Sequence, residues 1–166
     1  MSNMIEVGPE AVIEVLHALG ANAVEEQRDE AGVLTGYRVS PAIDLAGYDA
    51  ALAATRKAGL IAYAASARWQ REVGGIVVAG VPVATDDRAK MMIIGARVAA
   101  MADPGWSTIW RGADGGTYPV DAAAMVAISD AVQAHVNAGF ATFAAVKAAI
   151  EVGEVTSREQ VAAAFG

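Results

Sequence analysis

His17 and His135 are the only imidazoles in the chain and the natural place to look for metal or general-base chemistry. Helical zinc sites pair such a residue with a second ligand one turn away. Ala21 follows His17 at that spacing and Gly139 follows His135, so both histidines read as boundary residues of amphipathic helices. Asp86-Asp87-Arg88 could hold a cation or form an ion-pair cluster. Thr85-Asp86-Asp87 ahead of an apolar run is also what the free N–H groups of a helix start require. Trp69, Trp106 and Trp110 have the flat rings that stack on sugars or bases. Trp106 and Trp110 share strand parity and hence one face, which equally suits a small core.

Other chemistry is excluded on motif grounds. The Gly-x4-Gly-Lys-Ser/Thr phosphate loop and the Gly-x-Ser-x-Gly nucleophile elbow do not occur. Gly112, Gly115 and Gly116 belong to a hairpin turn, and Asp114 lacks the repeated carboxylates of a calcium loop. With 0 cysteines there is neither a thiolate site nor a disulfide framework. The chain therefore reads as a non-enzyme, with no catalytic residue, no cofactor and no metal. An enzyme would need Asp86, Asp87, Asp114 and Asp121 to converge in one pocket.

The elements that would carry these residues follow from periodicity and punctuation. A helix is expected over 9–19, with Pro9 in its first turn, Gly20 as its stop and Val12, Ile13, Leu16 and Leu19 on its apolar face. Two strands, 23–27 and 33–40, flank the polar turn 28–32. A long helix is expected over 44–73. Its Leu45, Tyr48, Leu52, Thr55, Gly59, Ala62, Ser66, Trp69 and Val73 alternate in steps of three and four, the spacing of a coiled-coil seam. The strong members, Leu45, Tyr48, Leu52, Trp69 and Val73, mark a self-association or partner-binding stripe. The competing reading lays the helix over its own domain.

After Gly74-Gly75, the segments 76–78 and 81–83 flank Ala79-Gly80 as a tight hairpin, with Pro82 on an edge. Thr85 or Asp86 caps a helix through Met91, Met92, Ile93, Ile94, Val98 and Met101 that stops at Asp103-Pro104-Gly105. A further hairpin joins 106–110 to 117–120 across Asp114-Gly115-Gly116. Asp121 caps a helix with a break at Gly139, and 140–150 follows as a separate helix. Thr156 and Glu159 have capping-box spacing for a last helix over 157–165. The fold class is α+β: helix-rich, with short antiparallel hairpins alternating with helices and one long helix near 44–73. A division is expected near Gly59, giving regions 1–59 and 60–166.

Composition bounds the partners. Of 166 residues 55% are hydrophobic and 19% charged, which excludes a disordered chain. A formal net charge of -7 without a basic stripe argues against a nucleic-acid partner or an anionic membrane surface. The first eight residues lack the basic start of a secretory signal, and the weakly polar stretch 121–150 carries too many polar groups for a lipid-facing helix, so no membrane insertion is expected.

Four ordered blocks carry a resemblance. They are Arg68-Trp69-Gln70-Arg71-Glu72-Val73-Gly74-Gly75-Ile76, Val83-Ala84-Thr85-Asp86-Asp87-Arg88, Trp110-Arg111-Gly112-Ala113-Asp114-Gly115 and Ala131-Val132-Gln133-Ala134-His135-Val136. Over about 60–150 they resemble a small domain family encoded among bacteriophage tail-fibre and tail-assembly genes. The chain departs from that pattern at Ala89-Lys90, where Ser-Gln is expected, and at Arg111, where lysine is usual. The resemblance implies a non-enzymatic tail protein, either a structural component of the tail fibre or baseplate or an assembly partner of the fibre. It would be located in the virion tail or in the host cytoplasm during assembly. Other tail proteins would be its partners, with a homo-oligomer or an obligate partner expected. A carbohydrate-binding module using Trp106, Trp110 and Tyr118 is the alternative, with a glycan as ligand.

Overall fold

The computed structural model describes residues 5–8, 11–40, 43 and 47–166. The chain is α+β and divides into two compact units, Met1–Gly59 and Leu60–Gly166.

The first unit opens with β1 (Ile5–Val7), which the sequence reading did not anticipate because three residues are too few to show alternation. The helix α1 spans only Ile13–Ala18, and Pro9 lies outside the described residues. Val15 and Leu16 are its fully buried side chains, whereas Ile13, expected on the apolar face, is exposed. β2 (Ala23–Arg28) and β3 (Leu34–Ser40) form the expected hairpin, and β1 joins it antiparallel on the other side in the order β1-β3-β2. The close approach of β1 requires Gly36, where an added Cβ would stand 2.5 Å from the Val7 carbonyl oxygen. Leu16, Ala21, Tyr37 and Val39 make this unit's core.

The long helix α2 spans Tyr48–Val73. Leu45, with residues 44 and 46 of the expected first turn, lies outside the described residues. Its segment 60–73 packs in the second unit, where Ala64 joins Val146, Ile150, Val161 and Phe165 in a core cluster. Two hairpins follow the sequence reading closely. β4 (Ile76–Val78) and β5 (Val81–Val83) pair across Ala79-Gly80, whose φ values of 48° and 83° are the positive pair a two-residue turn uses. β6 (Ser107–Arg111), one residue later than expected, pairs antiparallel with β7 (Thr117–Asp121), which begins as expected and runs one residue further.

Between the hairpins lies α3 (Asp87–Ala102), and after them α4 (Ala122–Val152). Here the sequence reading is corrected. α4 runs unbroken through Gly139 and stops only at Gly153, which takes the left-handed conformation (φ 85°) and returns its N–H to the last turn. Gly139 is buried against Arg68, so it serves packing rather than chain reversal. The last helix, α5 (Arg158–Phe165), is capped one residue later than expected. The Ser157 hydroxyl accepts from the Gln160 N–H, while the Gln160 side chain accepts from the Ser157 and Thr156 N–H groups.

Candidate functional site

α3 presents the feature of this molecule that its own fold does not consume. Asp86 starts the helix by accepting the Ala89 N–H at 3.0 Å, and Asp103-Pro104-Gly105 ends it, with Asp103 Oδ1 accepting the Gly105 N–H at 2.8 Å. One face carries Ile93, Ala96 and Ala100 into the larger core of the second unit, beside Val83, Val120, Met125, Ile128 and Val132. Small residues at 96 and 100 let α3 approach α4 closely. Two ion pairs fasten the flanks: Arg97 to Asp130 of α4, and Lys90 to Glu72 of α2.

The other large apolar side chains point outward. Met91, Met92, Ile94, Val98 and Met101 are each 59–68% exposed. Met91, Ile94, Val98 and Met101 are spaced by three, four and three residues, so they form one row along the helix. Gly95 beside this row has nothing within 4 Å of where a Cβ would stand. Five such side chains on one short helix exceed the scattered apolar exposure of an ordinary surface, where a patch beyond a few hundred Å² marks an interaction face. Met92 borders a groove of about 400 Å³ between the start of α3 and β6, lined also by Ile109, Trp110 and Arg111.

The residues singled out from sequence are distributed differently. In the expected stripe, Tyr48 is drawn into the first unit, where its hydroxyl accepts the Val12 N–H at 2.7 Å and its ring packs on the core. Leu52 and Val73 are half-buried, Trp69 is 56% exposed, and Leu45 lies outside the described residues. Trp106, Trp110 and Tyr118 pack against the larger core, which occupies part of each ring.

The four aspartates each have a local partner. Asp86 and Asp121 cap α3 and α4, and Asp87 pairs with Lys90. Asp114 accepts from the Gly116 N–H and the Tyr118 hydroxyl, which holds its carboxyl below the ordinary carboxylate value, the Tyr118 bond contributing most. His17 Nδ1 lies 2.8 Å from the Ala21 carbonyl and His135 Nε2 lies 2.9 Å from that of Arg71, so each ring donates to backbone near a helix end. Among the described residues, no three His, Asp or Glu side chains gather as a metal site, and no helix is long and apolar enough to cross a membrane.

Sequence reading named Thr85 as the alternative cap of α3 and missed the role it has. Its fully buried hydroxyl is not a cap for α3 but joins the end of α2 to β4, accepting from Gly75 and donating to Glu72. It also missed the outward row of α3, because the run Met91-Met92-Ile93-Ile94 is apolar all round the helix and gives no signal of which side faces out.

Fold and face together define an α+β protein whose second unit carries a helix with one exposed apolar face. The chain belongs to the family described as Domain of unknown function (DUF4376), which it matches over residues 55–165. No curated protein and no solved structure matches it.

Proposed function

We propose that this chain is a non-enzymatic protein of a bacteriophage tail, either a structural component of the tail fibre or baseplate or an assembly partner of the fibre. It would act in the virion tail or in the host cytoplasm while the tail is built. The resemblance over 60–150 suggests the setting, and the single observation that supports an assembly role is the outward row Met91, Ile94, Val98 and Met101. A solvated helix face of this composition is stabilised by contact with another protein, since covering apolar surface is the main favourable term in association. The packing of Trp106, Trp110 and Tyr118 on the core favours this reading over the glycan-binding one.

Mass spectrometry of purified virions tests it. Stoichiometric presence supports a structural part. Absence from virions, together with co-purification with the fibre protein from infected cells, supports the assembly partner. A chain found in neither place, encoded away from tail genes, overturns both.

A further inference from the structure

We propose that the free edge of β6 docks an extended, acidic segment of another protein, which adds as an antiparallel strand in the groove between β6 and the start of α3. The site stands whichever protein supplies the segment, so it goes beyond the tail reading, and it does not use the outward row of α3.

The backbone decides which edge is open. The Gly112 N–H donates to the Gly116 carbonyl at 2.9 Å, so that pair closes the β6–β7 ladder as a hydrogen-bonded one. Antiparallel pairs alternate between bonded and non-bonded, which makes Trp110 with Tyr118 and Thr108 with Val120 the bonded pairs, and Ile109 with Pro119 and Arg111 with Thr117 the others. Pro119, which has no N–H, falls in a non-bonded pair, as the chemistry of proline requires. The N–H and C=O groups of Ile109 and Arg111 therefore point away from β7. No third strand joins this sheet, and among the described residues no other group meets them. On β7 the outer edge lacks a donor at Pro119, so the hairpin is open to a new strand on the β6 side.

The space beside that edge fits a strand. The groove of about 400 Å³ is lined by residues 109–112 and by no residue of β7, so it runs along the open side, with Arg88 and Met92 on its far wall. Its end is fixed where the Ala113 N–H donates to the Pro82 carbonyl at 2.9 Å and ties the hairpin turn to β5. Trp110 packs on the core, so the edge is held in place before a strand arrives. Groups free at every second residue match an extended chain, which presents its own N–H and C=O at that spacing, whereas a helix has spent both on itself. Antiparallel addition is the more stable of the two directions.

Charge selects an acidic segment. Arg88 and Arg111 both line the groove, and among the described residues neither guanidinium has a partner. Asp86 also lines it, and its Oδ1 accepts the Ala89 N–H as the cap of α3. Asp87 is directed to Lys90 and does not border the groove, and Asp114 in the hairpin turn is held by Gly116 and Tyr118. Two guanidiniums against one carboxylate leave the groove positive on a chain whose net charge is -7. A residue directly opposite Arg111 puts its side chain on the same face, so an acidic one there meets the guanidinium. The residues between turn toward the Trp110 side of the sheet and are apolar.

The test uses the full chain and a fluorescent, end-capped peptide of about six residues, a usual strand length, alternating glutamate and valine. Fluorescence anisotropy should show saturable binding, and the peptide with lysine in place of glutamate should bind about tenfold more weakly or not at all. Arg111→Glu should narrow that preference. Backbone pairing is read by N-methylation. The residues bonded to Ile109 and Arg111 share their face and are the glutamates, so methylating the glutamate nitrogens should abolish binding while methylating the valine nitrogens should leave it. Ile109→Pro repeats in β6 what Pro119 is in β7: it removes an edge donor without a ladder bond to β7. Circular dichroism should show it folded, with the peptide bound about tenfold more weakly. The methylated peptides are read on the wild-type chain, so a proline variant that unfolds leaves the outcome intact. No saturable binding, equal binding of the two methylated peptides, or a folded Ile109→Pro that binds as wild type overturns the docking edge. A wild-type dimer in light scattering that Ile109→Pro dissociates gives the edge to a second copy and overturns it too. Virion composition, measured separately, judges the tail reading, so the two can fail independently.

Discussion

The Thr85 hydroxyl accepts the Gly75 N–H at 2.9 Å and is itself fully buried. The same oxygen donates to the carbonyl of Glu72, so one side chain satisfies two backbone groups where α2 ends and β4 begins. Substituting valine removes the hydroxyl and leaves a part-buried N–H and C=O without it. Thr85→Val should lose about 1–3 kcal/mol of stability, and Thr85→Ser distinctly less, since serine retains both bonds. Urea unfolding reads this as a lower midpoint at unchanged slope. A valine variant as stable as wild type would show that the junction is held by other contacts.

Glu72 stands between Lys90 and Arg68, and its carboxyl is held below the ordinary glutamate value of 4.5. The Lys90 hydrogen bond is the largest cause, opposed by burial and reinforced by the charges of Lys90 and Arg68. The ammonium of Lys90 is correspondingly raised above 10.5, mainly by the bond to Glu72. A depressed carboxyl contributes stability that is fully present above its unfolded value and is lost as pH falls through the folded one. The raised lysine contributes below its unfolded value and loses that contribution as pH rises through the folded one. With the three side chains 14–21% exposed, Glu72→Gln should cost about 1–3 kcal/mol at neutral pH. The gap between variant and wild type should narrow as pH drops below 4.5. Denaturant titrations at a series of pH values measure it, and a gap constant with pH would remove the ionised carboxylate from the explanation.

What the sequence makes legible here is local. The hairpins across Ala79-Gly80 and Asp114-Gly115-Gly116 and the caps Asp86 and Asp121 depend on residues within a few positions of one another. What resists reading is chosen by partners far along the chain. The run Met91-Met92-Ile93-Ile94 is apolar all round the helix, so periodicity alone does not decide that Ile93 turns inward with Ala96 and Ala100 while the others face out. On α2, Tyr48 turns inward for a similar reason, since its hydrogen-bond partner is 36 residues earlier in Val12. Thr85 carries the right chemistry for a cap, yet the donor it meets is ten residues upstream, in Gly75.

Gly139 distinguishes two accounts of the longest helix. As a break between two helices it would need its own conformational freedom, and alanine there would strain the chain. The structure instead runs α4 through it without interruption over 31 residues. Glycine inside a helix is less favourable than alanine by about 0.8–1.0 kcal/mol, because it loses more backbone entropy on folding. An added Cβ would meet only the Arg68 Cγ, at 3.7 Å, which is ordinary van der Waals contact. Gly139→Ala should therefore stabilise the protein by about 0.5–1 kcal/mol and raise its midpoint of thermal unfolding by a few degrees. A bulkier residue would have to displace Arg68, whose guanidinium lies 4.3 Å from the centre of the Phe140 ring, so Gly139→Leu should destabilise. Differential scanning calorimetry on the three proteins gives the order. Alanine above wild type above leucine is expected, and an alanine variant less stable than wild type would restore the helix break.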